Sequence, residues 1–116
     1  MLPSPTFFFF FITVASEVTI DGGVQQFVVV GNKMQLTCHY NTSLPASEVS
    51  WEKDGIVISR NGSVVVGARR NITHFNDSTV QLTLIQSILS DSGNYTCVVT
   101  NRIENSSATA SVIIQG

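Results

Sequence analysis

Charge is what this sequence has least of. Only 12% of its 116 residues are charged, and the net charge is −2. Its six basic residues are scattered, and only Arg69 and Arg70 are adjacent. Two neighbouring arginines make no polybasic track, so nucleic acid and anionic membrane surfaces are excluded as electrostatic partners. Histidine is equally sparse, with His39 and His74 alone. Neither stands at metal-ligand spacing with a cysteine. There is no Gly-rich phosphate loop and no Gly-x-Ser-x-Gly. Asp77, in Asn76-Asp77-Ser78, is a single carboxylate in a turn, a position that solvent ordinarily fills. These absences fail the requirements of an active site, so neither catalysis nor a cofactor is expected. No apolar run approaches the roughly 20 residues that span a bilayer.

What is present is apolar material, 43% of the chain, ample for one core. The N-terminal stretch "MLPSPTFFFFFITVAS" stands apart. Its apolar run from Phe7 to Ala15 ends in small residues, which fits a signal peptide cut after Ala15 or Ser16. No Lys or Arg precedes that run, and a translated low-complexity tract is the alternative. Residues 1–16 are set aside, and 17–116 are expected to form one domain.

That domain alternates with a period of two. "KMQLTCHY" puts Met34, Leu36, Cys38 and Tyr40 on one face of a strand. "EVSWEKDG" does so for Val49 and Trp51, then stops at the hairpin signal Asp54-Gly55. "TVQLTLIQ" aligns Val80, Leu82 and Leu84, and "ATASVII" aligns Ala108, Ala110, Val112 and Ile114. No stretch has helical periodicity beyond single turns at "SLPASE" and "SILSDSG". Short half-apolar strands separated by turns predict an all-β sandwich or barrel.

The two cysteines, 59 positions apart, fall on inward faces of separate strands. One bridge between two sheets is the reading, against the alternative of two buried thiols. Trp51 lies between them in sequence, where its indole can cover such a bridge. Cys38, Trp51 and the run Asp91-x-Gly93-x-Tyr95-x-Cys97 together resemble the immunoglobulin-like domain, over about 100 residues from Glu17 onward. Within it, the chain resembles most the intermediate set of adhesion and receptor proteins. "GNKMQLTC" resembles the entry to strand B, "VSWEKDG" strand C and "CVVTN" strand F. A variable-like sandwich with strand C′ also fits the long D region, 60–75.

The resemblance implies roles. Cys38 and Cys97 are joined beneath Trp51, with Leu36 and Leu82 in the same core. The Tyr95 hydroxyl bonds upstream backbone at the E–F corner. Gly93 allows a sharp approach there. Asp91 pairs with an arginine at the start of strand D, Arg70 first and Arg69 second. Two departures from the family pattern carry their own expectations. Ser87 stands where an apolar residue is usual, so Ile88 is expected to plug that corner. Asn105 is expected to supply a left-handed residue in the F–G turn.

Asn-x-Ser/Thr occurs at Asn41, Asn61, Asn71, Asn76, Asn94 and Asn105, never with Pro in the middle. N-linked glycans are therefore expected, and with them an extracellular location. The strand assignment puts Asn41 in the B–C loop, Asn76 in D–E and Asn105 in F–G. The functional expectation is a recognition or adhesion module of a larger cell-surface or matrix protein, with a homophilic or heterophilic protein partner. A free-standing secreted binder and an intracellular structural spacer are the alternatives.

Overall fold

The computed structural model describes residues 16–42, 44–65, 67 and 69–116, so the expected signal segment lies, but for Ser16, outside the described residues. Ten strands are formed: β1 (Glu17–Ile20), β2 (Gln25–Val29), β3 (Met34–Asn41), β4 (Glu48–Lys53), β5 (Ile56–Arg60), β6 (Ser63–Val64), β7 (Arg70–Asn76), β8 (Thr79–Leu84), β9 (Gly93–Thr100) and β10 (Asn105–Gln115). They make two sheets, ordered β1-β3-β8-β7 and β2-β10-β9-β4-β5-β6. All neighbours pair antiparallel except β2 and β10, which run parallel.

The alternation read from sequence is the alternation of burial. Met34, Leu36, Cys38 and Tyr40 of β3 are buried, as are Val80, Leu82 and Leu84 of β8. From the other sheet come Val49 and Trp51, then Tyr95, Cys97 and Val99, then Ala110, Val112 and Ile114. Ala108 is only half-buried. A fully buried side chain of this size contributes about 1.5–3 kcal/mol, so these two facing rows dominate the fold. Cys38 and Cys97 are bonded across the sandwich, with Cα atoms 6.5 Å apart. Trp51 is the direct cross-strand partner of Cys97.

Two tight hairpins extend the larger sheet. Asp54 and Gly55, at φ 51° and 84°, join β4 to β5. Asn61 and Gly62, at 47° and 89°, join β5 to β6. Paired left-handed residues match the right-handed twist of the strands they connect, and Asn or Asp followed by Gly tolerates them best. The C′-type strand β5 thus ends where the long D region begins, and that region holds a two-residue extra strand, β6, and most of β7.

Three local expectations are corrected. The residues described within "SLPASE" form no helical turn, with bends at Leu44 and Ser47 and Glu48 already in β4, whereas "SILSDSG" does contain a 3-10 turn, Leu89–Asp91. Ser87 plugs the E–F corner itself. It is 1% exposed while Ile88 is 46% exposed. Ser87 is drawn in by backbone: its N–H bonds the Asn32 carbonyl at 3.0 Å, and its carbonyl accepts from Gly31 N–H at 2.8 Å. Its hydroxyl then finds the Val29 carbonyl at 3.3 Å, so a polar side chain is satisfied in an apolar corner. Asn105 is not left-handed; it opens β10. The F–G turn is closed by Asn101, whose Oδ1 accepts from the N–H groups of Ile103 (2.9 Å) and Glu104 (3.0 Å).

Candidate interaction surfaces

The run around Asp91 is tied into the fold by its contacts. The 3-10 turn presents the Asp91 carboxylate to the Ile88 N–H at 2.8 Å. Arg69 grips the same carboxylate through both terminal nitrogens, at 3.1 and 3.4 Å, and also bonds the Gln86 carbonyl. Arg69, the second expectation for this pair, thus makes the ion pair with Asp91, while the charge of Arg70, the first expectation, acts on the same carboxylate. The reason is backbone geometry. Arg69 adopts φ 65°, outside the extended region, immediately before β7. Arg70 begins β7, and its guanidinium lies over Gly67, where a Cβ would stand 1.9 Å from it. Burial alone would raise the Asp91 pKa, but the Arg69 and Ile88 hydrogen bonds and the charges of both arginines hold it below 3.8. Tyr95 donates its hydroxyl to the Asp91 carbonyl at 2.6 Å. Burial of that phenol, with Asp91 nearby, raises its pKa to about 12.

Gly93 does permit a close approach, but by Asp54 of the β4–β5 hairpin. A Cβ at Gly93 would meet Asp54 Oδ2 at 2.6 Å. Asp54 is there because it accepts the Asn94 N–H at 2.9 Å and donates its own N–H to the Asn94 carbonyl at 2.8 Å. The Asn94 N–H lowers the Asp54 pKa.

The connections after β3, β7 and β9 gather at one end of the sandwich. Tyr40 N–H reaches the Ser78 carbonyl at 2.9 Å, and Ser47 N–H reaches that of Thr100 at 2.7 Å. The connections after β3 and β7 border an open cleft of about 880 Å³, walled by Tyr40, Leu44, Pro45, His74 and Asp77, with Asn41, Asn61 and Asn76 at its margin. Burial and the Asp77 charge raise the Tyr40 pKa. Asn41 and Asn76 are the last residues of β3 and β7, and Asn105 the first of β10. They flank the loops rather than sit within them. Asn76 Oδ1 accepts from both the N–H and the hydroxyl of Ser78, at 2.8 and 3.0 Å. Asn61 Oδ1 accepts the Val49 N–H at 2.9 Å. All six sequon asparagines are exposed.

The second surface is the outer face of the six-stranded sheet. Asn94, Thr96 and Val98 of β9 point there, opposite the buried set on the same strand. The Thr96 and Thr109 hydroxyls bond across β9 and β10 at 2.8 Å. At the β2 side this face carries Phe27 and Val29, both 58% exposed. The sequence reading passed over these two; "QQFVVV" has a strand's composition, with nothing to mark which side stays wet. Among the described residues no three His, Cys, Asp or Glu side chains are placed to hold a metal ion. No helix there is long and apolar enough to cross a membrane.

Known proteins share this arrangement. The chain is similar to junctional adhesion molecule A of Homo sapiens, 33% identical over 72 residues, or 62% of this chain and 24% of that protein. It is also similar to the membrane-bound isoform of pro-neuregulin-1 of Gallus gallus, 32% identical over 77% of this chain and 14% of that protein. The chain thus spans about a quarter or less of these relatives. Among solved structures, a chimeric titin Z1Z2 tandem matches with a TM-score of 0.71 at 28% identity, over 85% of this chain and 50% of that one. The complex of Dpr1 IG1 bound to DIP-eta IG1 matches with a TM-score of 0.70 at 19% identity, over 84% of this chain and 95% of that one, and speaks for the fold alone. The immunoglobulin I-set domain profile matches residues 18–114. With its two sheets, inter-sheet disulfide and tyrosine corner in place, the chain belongs to the immunoglobulin I-set family.

Proposed function

We propose that this chain is an extracellular recognition or adhesion module, one domain of a longer cell-surface or matrix protein, delivered by a signal peptide within residues 1–16. The observation that carries the proposal is the exposure of all six sequon asparagines on a domain closed by a disulfide. An oxidising secretory route supplies both the bridge and the sugars. The named relatives, an adhesion molecule and a membrane-bound isoform, support the same compartment.

Binding follows from where the glycans stand. Sugars at Asn41, Asn76 and Asn105 shield the loop end and its cleft. A protein partner then uses the outer face of β10, β9 and β4, with Asn94 limiting one part of it. Glycopeptide mapping of chain secreted from eukaryotic cells tests the premise. Sugar at Asn41, Asn76 and Asn105 supports it, and three unmodified asparagines overturn it. If they are modified, partner binding that arises only after enzymatic deglycosylation moves the site to the loop end.

A second reading, an intracellular spacer, is favoured by the 28% identity to the titin tandem. It needs neither sugar nor bridge. Endogenous chain recovered from cytosol with two alkylatable cysteines and no glycan would establish it.

A further inference from the structure

The two sheets leave four edges, and three are guarded. β1 bears Glu17 and runs into Asp21. β6 is two residues long. β7 carries Arg70 and His74, with sequons at Asn71 and Asn76. Charge, shortness and attached sugar are the devices that keep edge strands from pairing with other chains. β2 has none of them. No charged residue and no proline occurs between Asp21 and Lys33.

Among the described residues, the backbone of β2 is open in a defined pattern. Ser111 N–H bonds the Val24 carbonyl at 2.8 Å, and Val30 N–H bonds the Gln115 carbonyl at 2.7 Å. With the period of a strand, the even-numbered residues turn their peptide groups to β10. Gln25, Phe27 and Val29 turn theirs away from the sheet. Of these, the Val29 carbonyl is already used by Asn32 N–H and the Ser87 hydroxyl. The Phe27 and Val29 side chains stand beside this edge, each 58% exposed.

We propose that β2 is a homotypic docking edge: a second copy of this chain adds its own β2 antiparallel, about a twofold axis at Phe27. Both peptide groups of Phe27 face outward, so Phe27 and the partner's Phe27 exchange N–H···O=C bonds. Two positions along, Val29 N–H meets the carbonyl of the partner's Gln25, and the reverse. This register keeps Phe27 against the partner's Phe27 on the outer face, a stabilising cross-strand aromatic pair. It also carries the partner's Val30 to Val24, whose neighbours Val18, Ile20 and Ala108 line a groove of about 340 Å³. The occupant is a second copy because the edge is complementary to itself and uncharged, so two copies meet without repulsion. A glycan at Asn94 does not obstruct it. Asn94 is aligned with Ser111 and, beyond it, Gln25, so the sugar rises from the face while the edge points sideways. The proposal depends on neither glycan nor compartment.

Sedimentation equilibrium over a wide concentration series, with amide hydrogen exchange, tests it on the full chain. The expected result is a dimer that grows with concentration, and slowed exchange at the Phe27 and Val29 amides as it does. The double variant Phe27→Lys, Val29→Lys places charge on exposed positions and should lose the dimer while keeping its near-UV spectrum. Val98→Lys, on the outer face away from this edge, should keep it. A chain monomeric throughout, with Phe27 and Val29 exchange independent of concentration, overturns the proposal. So does a dimer that survives the double variant or disappears with Val98→Lys.

Discussion

Tyr95 donates its phenolic hydroxyl to the carbonyl of Asp91, four residues upstream, across 2.6 Å. The bond ties the start of β9 to the 3-10 turn before it. Tyr95→Phe keeps the ring and leaves a buried carbonyl short of a partner. A loss of about 1–2 kcal/mol is expected, with the fold intact. Urea unfolding checks it; an unchanged midpoint would show that the bond contributes nothing.

The same phenol sets an alkaline limit. Burial raises the Tyr95 pKa to about 12, from 10.0 for a free tyrosine. The folded state holds the proton more tightly, so its advantage is complete below pH 10 and shrinks as pH rises towards 12. The slope is about 1.4 kcal/mol per pH unit for one such group. Stability measured from pH 9 to 12 should fall, and more steeply than in Tyr95→Phe.

Asp91 sets the acid limit with the opposite sign. Its folded pKa lies below 3.8, so its contribution is present above that pH and fades as pH drops further. Arg69→Gln removes the gripping cation from a carboxylate that is only 5% exposed. Arg69 itself is partly exposed, so a cost near 2 kcal/mol is expected, below that of breaking a fully buried pair. The acid transition should move to higher pH. Equal denaturation curves for wild type and variant, at pH 7 and pH 3, would contradict the ion pair's role.

For the bridge, intact protein is expected to show no free thiol by non-reducing mass spectrometry. Cys97→Ala should cost about 2–5 kcal/mol and can abolish folding.

Much of this was legible because a strand has a period of two. The inward rows Met34 to Tyr40 and Val80 to Leu84 could be read residue by residue, and the bridge and Trp51 followed. Asp54-Gly55 and Asn61-Gly62 carry the same hairpin signal, and both turn the chain with paired positive φ angles. What failed depended on backbone detail. The choice between Arg69 and Arg70 rests on one left-handed residue, and the choice between Ser87 and Ile88 on bonds to Gly31 and Asn32 from a distant turn. At the candidate surfaces, sequon positions were readable to within a residue of their loops. The exposure of Phe27 was not, because apolar alternation marks two faces and only the partner sheet decides which one is covered.

The parallel pairing of β2 with β10 has a mechanical consequence. The chain enters β2 beside Ser111 and leaves β10 beside Val29. Tension between the two termini therefore slides these strands along each other, loading all their hydrogen bonds together instead of peeling them singly. Once they part, Cys38 and Cys97 still hold everything between them closed. Only the segments outside the bridge can lengthen, so the loop from Cys38 to Cys97 adds nothing to the length of a stretched domain.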